Sequence, residues 1–413
     1  VLADVPAVLI LVGLAAYAVL GGADYGAGAW TILSREDVHG RRLRDHARHA
    51  MGPVWEANHV WLIFVLVICW TAYPTAFGSI MSTLAVPLFL IAVGIILRGT
   101  AYALRGSVDP ARAKLLERLF GLSSILTPFA LGAVAGGIAS GRVPVGNAAG
   151  SRWESWLNPT SVVLGVMLIA MSAYLAAVYL AADARRLREP ELERAFRLRA
   201  IGGGGVAGAL ALAGLVVVHS DARPIWDGLT KGWGAVALAV SALAGLATMV
   251  LVWRSRFEAA RAAATAAVAA VIAGWALAQR PVLLPGLTIH EAAAPRPTLV
   301  ALILGAALGS LILVPALVLL FDLYLRGAFD PVTEPAAPAE VEAPAAPTRP
   351  WHLALPLALL GGGTVLTVAL DPVWARVLGV VALLAFAAIS FPRVAALGAA
   401  DARDTRTDAT RRP

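Results

Sequence analysis

Long apolar runs alternate along this chain with short polar segments, most of them basic. About twenty predominantly apolar residues suffice for a helix to cross the hydrocarbon core of a bilayer. On that criterion the pattern predicts nine principal membrane helices, at about 5–33, 54–77, 79–103, 119–140, 159–182, 200–218, 234–253, 263–279 and 299–325. The runs are continuous, unlike the short alternating segments of a transmembrane β-barrel. The first run is long enough to imply tilt or an extension beyond the bilayer. It starts without a basic region and carries an acid, so it reads as a retained helix and not as a cleaved signal peptide. After the ninth run the pattern changes. Residues 327–350 are dominated by Pro, Ala and Glu and read as an extended cytoplasmic linker. Two further apolar runs, about 353–370 and 374–392, meet at Asp371–Pro372 and predict a membrane hairpin, the alternative being a pair of soluble helices. The expected organisation is therefore a membrane core over 1–326, a linker over 327–350, a hairpin over 351–395 and a polar tail over 396–413.

Composition narrows the class. With 59% hydrophobic and 14% charged residues, the chain lacks the polar surface a soluble protein of 413 residues needs. The net charge of +7 is a matter of topology and gives no reason to expect nucleic acid. Segments after the first, third, fifth and seventh spans hold 18 basic residues, against 6 in the alternate loops. The positive-inside rule then puts the N-terminus outside and the basic loops, with the C-terminus, in the cytoplasm. Cys69 is the sole cysteine, which excludes disulfides, thiolate metal clusters and a CxxCH haem attachment within this chain. Ile201–Val206, IGGGGV, follows no strand and precedes no Lys-Ser/Thr, so it is not a phosphate loop; close helix packing explains it better.

Candidate chemistry concentrates in residues 17–61. Asp24 interrupts the first apolar run within GGADYGAGAW, and Glu56 opens the second within GPVWEANHVW. Acids in membrane segments are costly and normally face the bundle interior or a polar cavity. Asp24 lies about nine residues from the cytoplasmic end of its run, roughly 13 Å deep. Two readings are open for it: a structural acid bonded to neighbouring helices, or a proton-relay carboxylate. Glu56 and His59 share a helix face, with Asn58 between them and Trp55 and Trp61 nearby. Glu, Asp and His are the side chains from which membrane proton relays are built. Gly22, Gly26 and Gly28 are spaced for close helix packing. Arg98, near the inner end of the third span, either pairs with one of the acids, snorkels to the interface or acts directly. Asp183 and Asp322, at cytoplasmic span ends, read as solvated. His39, His46 and His49 fall in the first loop, and His219, His290 and His352 near span ends, leaving His59 inside a span. That distribution predicts no metal or haem ligand set and no catalytic residue on this chain.

The motifs GGADYGAGAW, GPVWEANHVWL, AYPTAF, LRGTAYALR and WALAQRPVLLPGLTIHEAAAP, in this order over roughly residues 5–326, resemble subunit II of the cytochrome bd-type quinol oxidases, a type shared by the cyanide-insensitive oxidases. The resemblance implies nine spans, arranged as two four-helix bundles plus one peripheral helix, in a bacterial cytoplasmic membrane. It implies a partner, subunit I, carrying two b-type haems, haem d and the quinol site, and the four-electron reduction of dioxygen to water by quinol. Subunit II of such oxidases ligates no haem, can hold a structural quinone, and contributes carboxylates to a cytoplasmic proton path. Asp24 matches the aspartate of the family's GxDxGxG stretch. Glu56 matches an acidic position that is often Asp, and His59 a position that can be Gln. Trp55, Asn58 and Arg98 stand as supporting residues.

Two departures stand out. Some members have a further acid where this chain has Gly21, and residues 327–413 extend beyond the usual subunit. Such oxidases can recruit a small single-helix accessory subunit, and the fused hairpin is expected to play a comparable stabilising part. The readings carried forward are an all-α polytopic oxidase subunit and, as alternatives, a secondary transporter coupled through Asp24 and Glu56, or a membrane scaffold without chemistry.

Overall fold

The computed structural model describes residues 2–34, 37–104, 110–325, 351–370, 372–386 and 388–389; the side chains of 49–57, 110–113, 321, 324–325 and 351–354 are outside that description. The chain forms two compact units, residues 1–98 with 119–331, and residues 99–118 with 332–413. Its helices are α1 (Asp4–Leu33), α2 (Val38–Ala72), α3 (Pro74–Thr83), α4 (Ala85–Ala103), α5 (Pro110–Ala139), α6 (Pro159–Arg186) and α7 (Pro190–Asp221). There follow α8 (Arg223–Thr230), α9 (Gly232–Trp253), α10 (Phe257–Gln279), α11 (Ile289–Ala292), α12 (Arg296–Leu325) and α13 (Trp351–Val368). The last is α14 (Val373–Phe386). A short hairpin of β1 (Val282–Leu284) and β2 (Leu287–Thr288) precedes α11. Among the described residues, eight helices are long and apolar enough to cross a membrane. They fall on eight of the nine expected spans; the second lies in the apolar stretch Asn58–Ala72 of α2.

The segment after the first span differs from expectation. It reads as a loop because it is rich in arginine, yet it is the first half of α2. Asp37 caps the helix, its carboxylate accepting from the Gly40 amide at 2.6 Å. Leu43, His46 and Ala47 then recur at helical spacing and are buried, while Arg41, Arg42 and Arg44 stay on the other side. Only the apolar face of this segment enters the core, so its hydropathy is low although its packing is good. A second difference lies at Tyr73–Pro74. Proline has no amide to continue the helix and is suited to the first turn of the next one. The chain therefore breaks between α2 and α3, and again at Leu84, inside what the pattern presents as a continuous third span.

The core of the first unit is built from small side chains. Ala23 and Ala27 of α1, Leu43 and Ala47 of α2, Ala176–Ala184 of α6, Phe196 and Ala200 of α7, and Phe257 and Ala260 of α10 form one buried cluster. In a membrane the apolar surface gains little by leaving lipid, so association depends on close packing and polar contacts. Gly26 marks the tightest approach of α1 to α6, where an added Cβ would run into the Ser172 carbonyl. Between α5 and α6, a Cβ on Gly132 would lie 2.5 Å from the Leu164 carbonyl oxygen. In contrast, α12 shows an almost wholly exposed apolar surface, including Leu308, Leu311 and Ile312.

Polar contacts tie together loops that the up-and-down reading places at the same end. Arg42, before the second span, pairs with Glu189 at 2.8 Å and Glu191 at 2.6 Å, beyond the fifth. At the opposite end, Asp221 accepts from both Arg142 Nη atoms at 2.6 and 3.0 Å and from the Thr160 hydroxyl at 2.6 Å, joining the ends of α5, α6 and α7. The segment after α10 is ordered by a capping box between Thr288 and Glu291, and the Ala294 amide donates to the Ala72 carbonyl at 2.8 Å.

In the second unit, α13 and α14 approach closely at Gly363 and Gly379; a Cβ on Gly379 would lie 2.8 Å from the Gly363 carbonyl oxygen. The expected linker, 327–350, and the tail, 396–413, lie outside the described residues.

The contrast between two glycines makes a test. Gly26→Ala forces backbone apart and should lower stability by about 1–3 kcal/mol, the usual range for overpacking. Gly202→Ala meets nothing within 4 Å and should be neutral or stabilising through helix propensity, by up to about 1 kcal/mol. Thermal unfolding of the purified protein measures both; equal behaviour would remove the α1–α6 contact from the account.

Candidate functional site: a buried ion pair and its neighbours

Asp24 faces the bundle interior, and so does Arg98. Their side chains are 3% and 0% exposed as residues, a pairing of burial that charged groups show only when compensated. Arg98 Nε donates to Asp24 Oδ2 at 3.1 Å, and Nη2 donates to Oδ1 at 2.5 Å. The same Nη2 donates to the Asp24 backbone carbonyl at 2.8 Å. Nη1 donates to the Ser124 hydroxyl, which in turn donates to the Phe120 carbonyl at 2.5 Å. The guanidinium also lies over the rings of Phe120, at 4.1 Å, and Tyr25, at 5.1 Å. One residue from α4 thus joins α1 and α5 through a fork of charge-assisted bonds.

Local sequence makes room for this fork. A Cβ on Gly28 would lie 2.7 Å from Arg98 Nη1 and would collide with the Ser124 hydroxyl. Gly22 lies against Leu175, a Cβ there coming within 3.2 Å of its Cδ1. Tyr17, two turns before Asp24, and Tyr25, the residue after it, share a hydrogen bond of 3.0 Å between their hydroxyls. The Tyr17 ring covers Gly21, 3.3 Å from where a Cβ would stand. The side chain at this position is therefore replaced by an aromatic ring and a paired hydroxyl.

The structure brings Asp24 together with Arg98 and Gly28. The snorkelling reading of Arg98 is overturned, because its guanidinium is spent inside the bundle. Glu56 and Trp55 belong to α2, but their side chains lie outside the described residues. Asn58 is 1% exposed, and among the described residues neither polar atom of its amide has a hydrogen-bond partner. His59 follows at the next position and is half-buried. An unpartnered buried amide costs about 1–3 kcal/mol, which an ordered water can relieve.

Asp183 corrects a second expectation. It is 2% exposed, not solvated, and Arg261 and Arg186 approach its Oδ1 at 3.3 and 3.4 Å. Arg261 also donates to the Tyr179 carbonyl at 2.9 Å. Arg261 is distant in sequence, so a linear reading of α6 had no sign of the partner. Ser124 was equally hidden, since a serine in an apolar run usually bonds its own helix. His46 is buried in helix, and its Nε2 donates to the Leu180 carbonyl at 3.0 Å. Among the described residues, no three His, Cys, Asp or Glu side chains converge as a metal site would require.

Comparison with known proteins gives the same picture throughout the core. The profile of the family "Cytochrome bd terminal oxidase subunit II" matches residues 2–324. Cytochrome bd ubiquinol oxidase subunit 2 of Bacillus subtilis (strain 168) is 28% identical over 127 residues, 30% of this chain and 36% of the relative. Cytochrome bd-I ubiquinol oxidase subunit 2 of Escherichia coli (strain K12) is 26% identical over 186 residues, 41% of this chain and 46% of the relative. The alignments thus span between a third and a half of the length of these two curated relatives. A chain in the solved structure of the bd oxidase from Geobacillus thermodenitrificans aligns with a TM-score of 0.62 at 26% identity, over 78% of this chain and 98% of that one. With the profile spanning every helix from α1 to all but the last residue of α12, this chain belongs to the cytochrome bd terminal oxidase subunit II family.

Proposed function

We propose that this chain is the non-haem-ligating subunit II of a quinol:dioxygen oxidoreductase, held in a bacterial cytoplasmic membrane with its N-terminus outside. Its partner is a subunit I that carries two b-type haems and haem d and performs the four-electron reduction of dioxygen to water by quinol. The observation that carries this reading is the family match over residues 2–324, the whole membrane core.

Within that assembly the ion pair suggests a division of labour. Arg98 grips the Asp24 carboxylate through two charge-assisted bonds. Asp24 then belongs to the proton path as a structural member that holds α1, α4 and α5 together. Proton carriage falls to Glu56 and His59 on α2, with Trp55 beside them and the unpartnered Asn58 amide able to hold water. Protons enter from the cytoplasm, where the basic loops lie. The transporter alternative asks Asp24 to exchange its partner during a cycle, which the Arg98 fork and its Ser124 anchor oppose. The α13–α14 hairpin is read as a peripheral membrane element that stabilises the complex, in place of or beside a single-helix accessory subunit. A structural quinone and surrounding lipid complete the expected partners.

Purification through a tag on this chain should bring down a larger haem-bearing subunit, seen in reduced-minus-oxidised spectra. A stable complex without haem would refute the oxidase reading. In the same preparation, Glu56→Gln should lower quinol-driven oxygen consumption by about a hundredfold, the lower range for losing a positioned proton-transfer group, with haem content intact. Normal turnover in that variant would take Glu56 off the path.

A further inference from the structure

A basic platform lies where the ends of α6, α7, α9 and α10 meet. Arg197 of α7 donates to the Trp253 carbonyl, and Arg185 of α6 donates to the Ser255 carbonyl at 2.5 Å. These are carbonyls at and just past the end of α9, which has no further turn to bond them. The two arginines therefore cap α9 from neighbouring helices and draw the α6–α7 and α9–α10 turns together. Arg188, Arg194, Arg254 and Arg256 stand exposed on the same two turns. Among the described residues, none of these four side chains has a carboxylate partner. The nearby acids are largely committed: Glu189 and Glu191 to Arg42, and Glu258 to Arg261. Glu193 lies 3.9 Å from Arg185.

An exposed apolar face of α7 and α9 runs from this platform. Helices α7 and α9 run antiparallel, in contact where a Cβ on Gly204 would collide with Met249 Sδ. Outside that contact, α7 presents Gly202, Gly205 and Gly208, each with open space where a Cβ would stand. Leu198, Leu246, Val250 and Trp253 are exposed beside them. The result is a shallow apolar furrow whose mouth carries several uncommitted guanidiniums.

We propose that this platform and furrow bind an anionic phospholipid, the phosphate held by Arg194, Arg254 and Arg256 and an acyl chain lying along α7 and α9. Guanidiniums match phosphate geometry through paired donors, and arginines near a membrane surface each add to anionic-lipid binding. Charge complementarity selects an anionic headgroup over a zwitterionic one, and the furrow selects a lipid over a free phosphate ion. This site is separate from Asp24 and Glu56 and holds whether or not the chain works in an oxidase.

The test uses the full-length protein as purified, delipidated in detergent and titrated with dioleoyl phosphatidylglycerol or dioleoyl phosphatidylcholine, with bound lipid counted by native mass spectrometry. Phosphatidylglycerol should be retained preferentially. The triple variant R194Q/R254Q/R256Q keeps both capping arginines and should weaken that retention by about a hundredfold. Lys231→Gln, exposed at the opposite end of α9, should leave it unchanged. A Cβ on Gly205 meets nothing within 4 Å, and Gly205→Leu, which places an isobutyl group in that space, should also release the lipid. Equal retention of both lipids, wild-type retention in the triple variant or in Gly205→Leu, or displacement by millimolar inorganic phosphate would each overturn the proposal.

Discussion

The Asp24–Arg98 pair is the interaction on which the first unit's packing turns. Bringing two unit charges out of water costs several kcal/mol for each ion even after relaxation. The expense is offset only where geometry is good and the remaining donors are satisfied. Here four of the five guanidinium protons have identifiable acceptors: two carboxylate oxygens, a backbone carbonyl and a serine hydroxyl. Two aromatic rings close the faces of the guanidinium. Several sequence features then follow as requirements. Gly28 must lack a side chain, Ser124 must turn toward α4, and small residues along α1 must let α6 come close enough to exclude water.

Much of the architecture was legible in the sequence because membrane spans declare themselves by length. Eight expected spans coincide with helices, and the alternation of basic segments agrees with which loops bond to each other. Legibility failed where burial is decided by one face or by a distant partner. The arginine-rich start of α2 hides its apolar face of Leu43, His46 and Ala47 among charges. Asp183 looks like a solvated helix end until Arg261, seventy-eight positions later, is seen beside it. Asp24 was conspicuous as an acid in an apolar run, but its partner could have been Arg98, water or another acid. Only three-dimensional proximity separates those cases, because hydropathy carries no information on which helices touch.

The same geometry reshapes the functional account. Family membership brings the expectation of a proton path on the cytoplasmic half, and the acids are the obvious carriers. A carboxylate locked by arginine is better suited to holding helices and setting a local field than to exchanging protons. In the proposed reading the burden of transfer falls on α2, where Glu56, Asn58 and His59 lie within one helical turn. At Gly21, the Tyr17 ring packs across the space a side chain would take.

The most direct test is a double-mutant cycle on the pair, read by thermal unfolding of the purified protein. Asp24→Asn and Arg98→Gln should each lose roughly 3–5 kcal/mol, the usual loss when one member of a buried pair is left alone. The double variant should lose no more than the worse single change, giving a coupling energy of several kcal/mol. Additive losses, or single variants as stable as the parent, would contradict the claim that this ion pair holds the fold together.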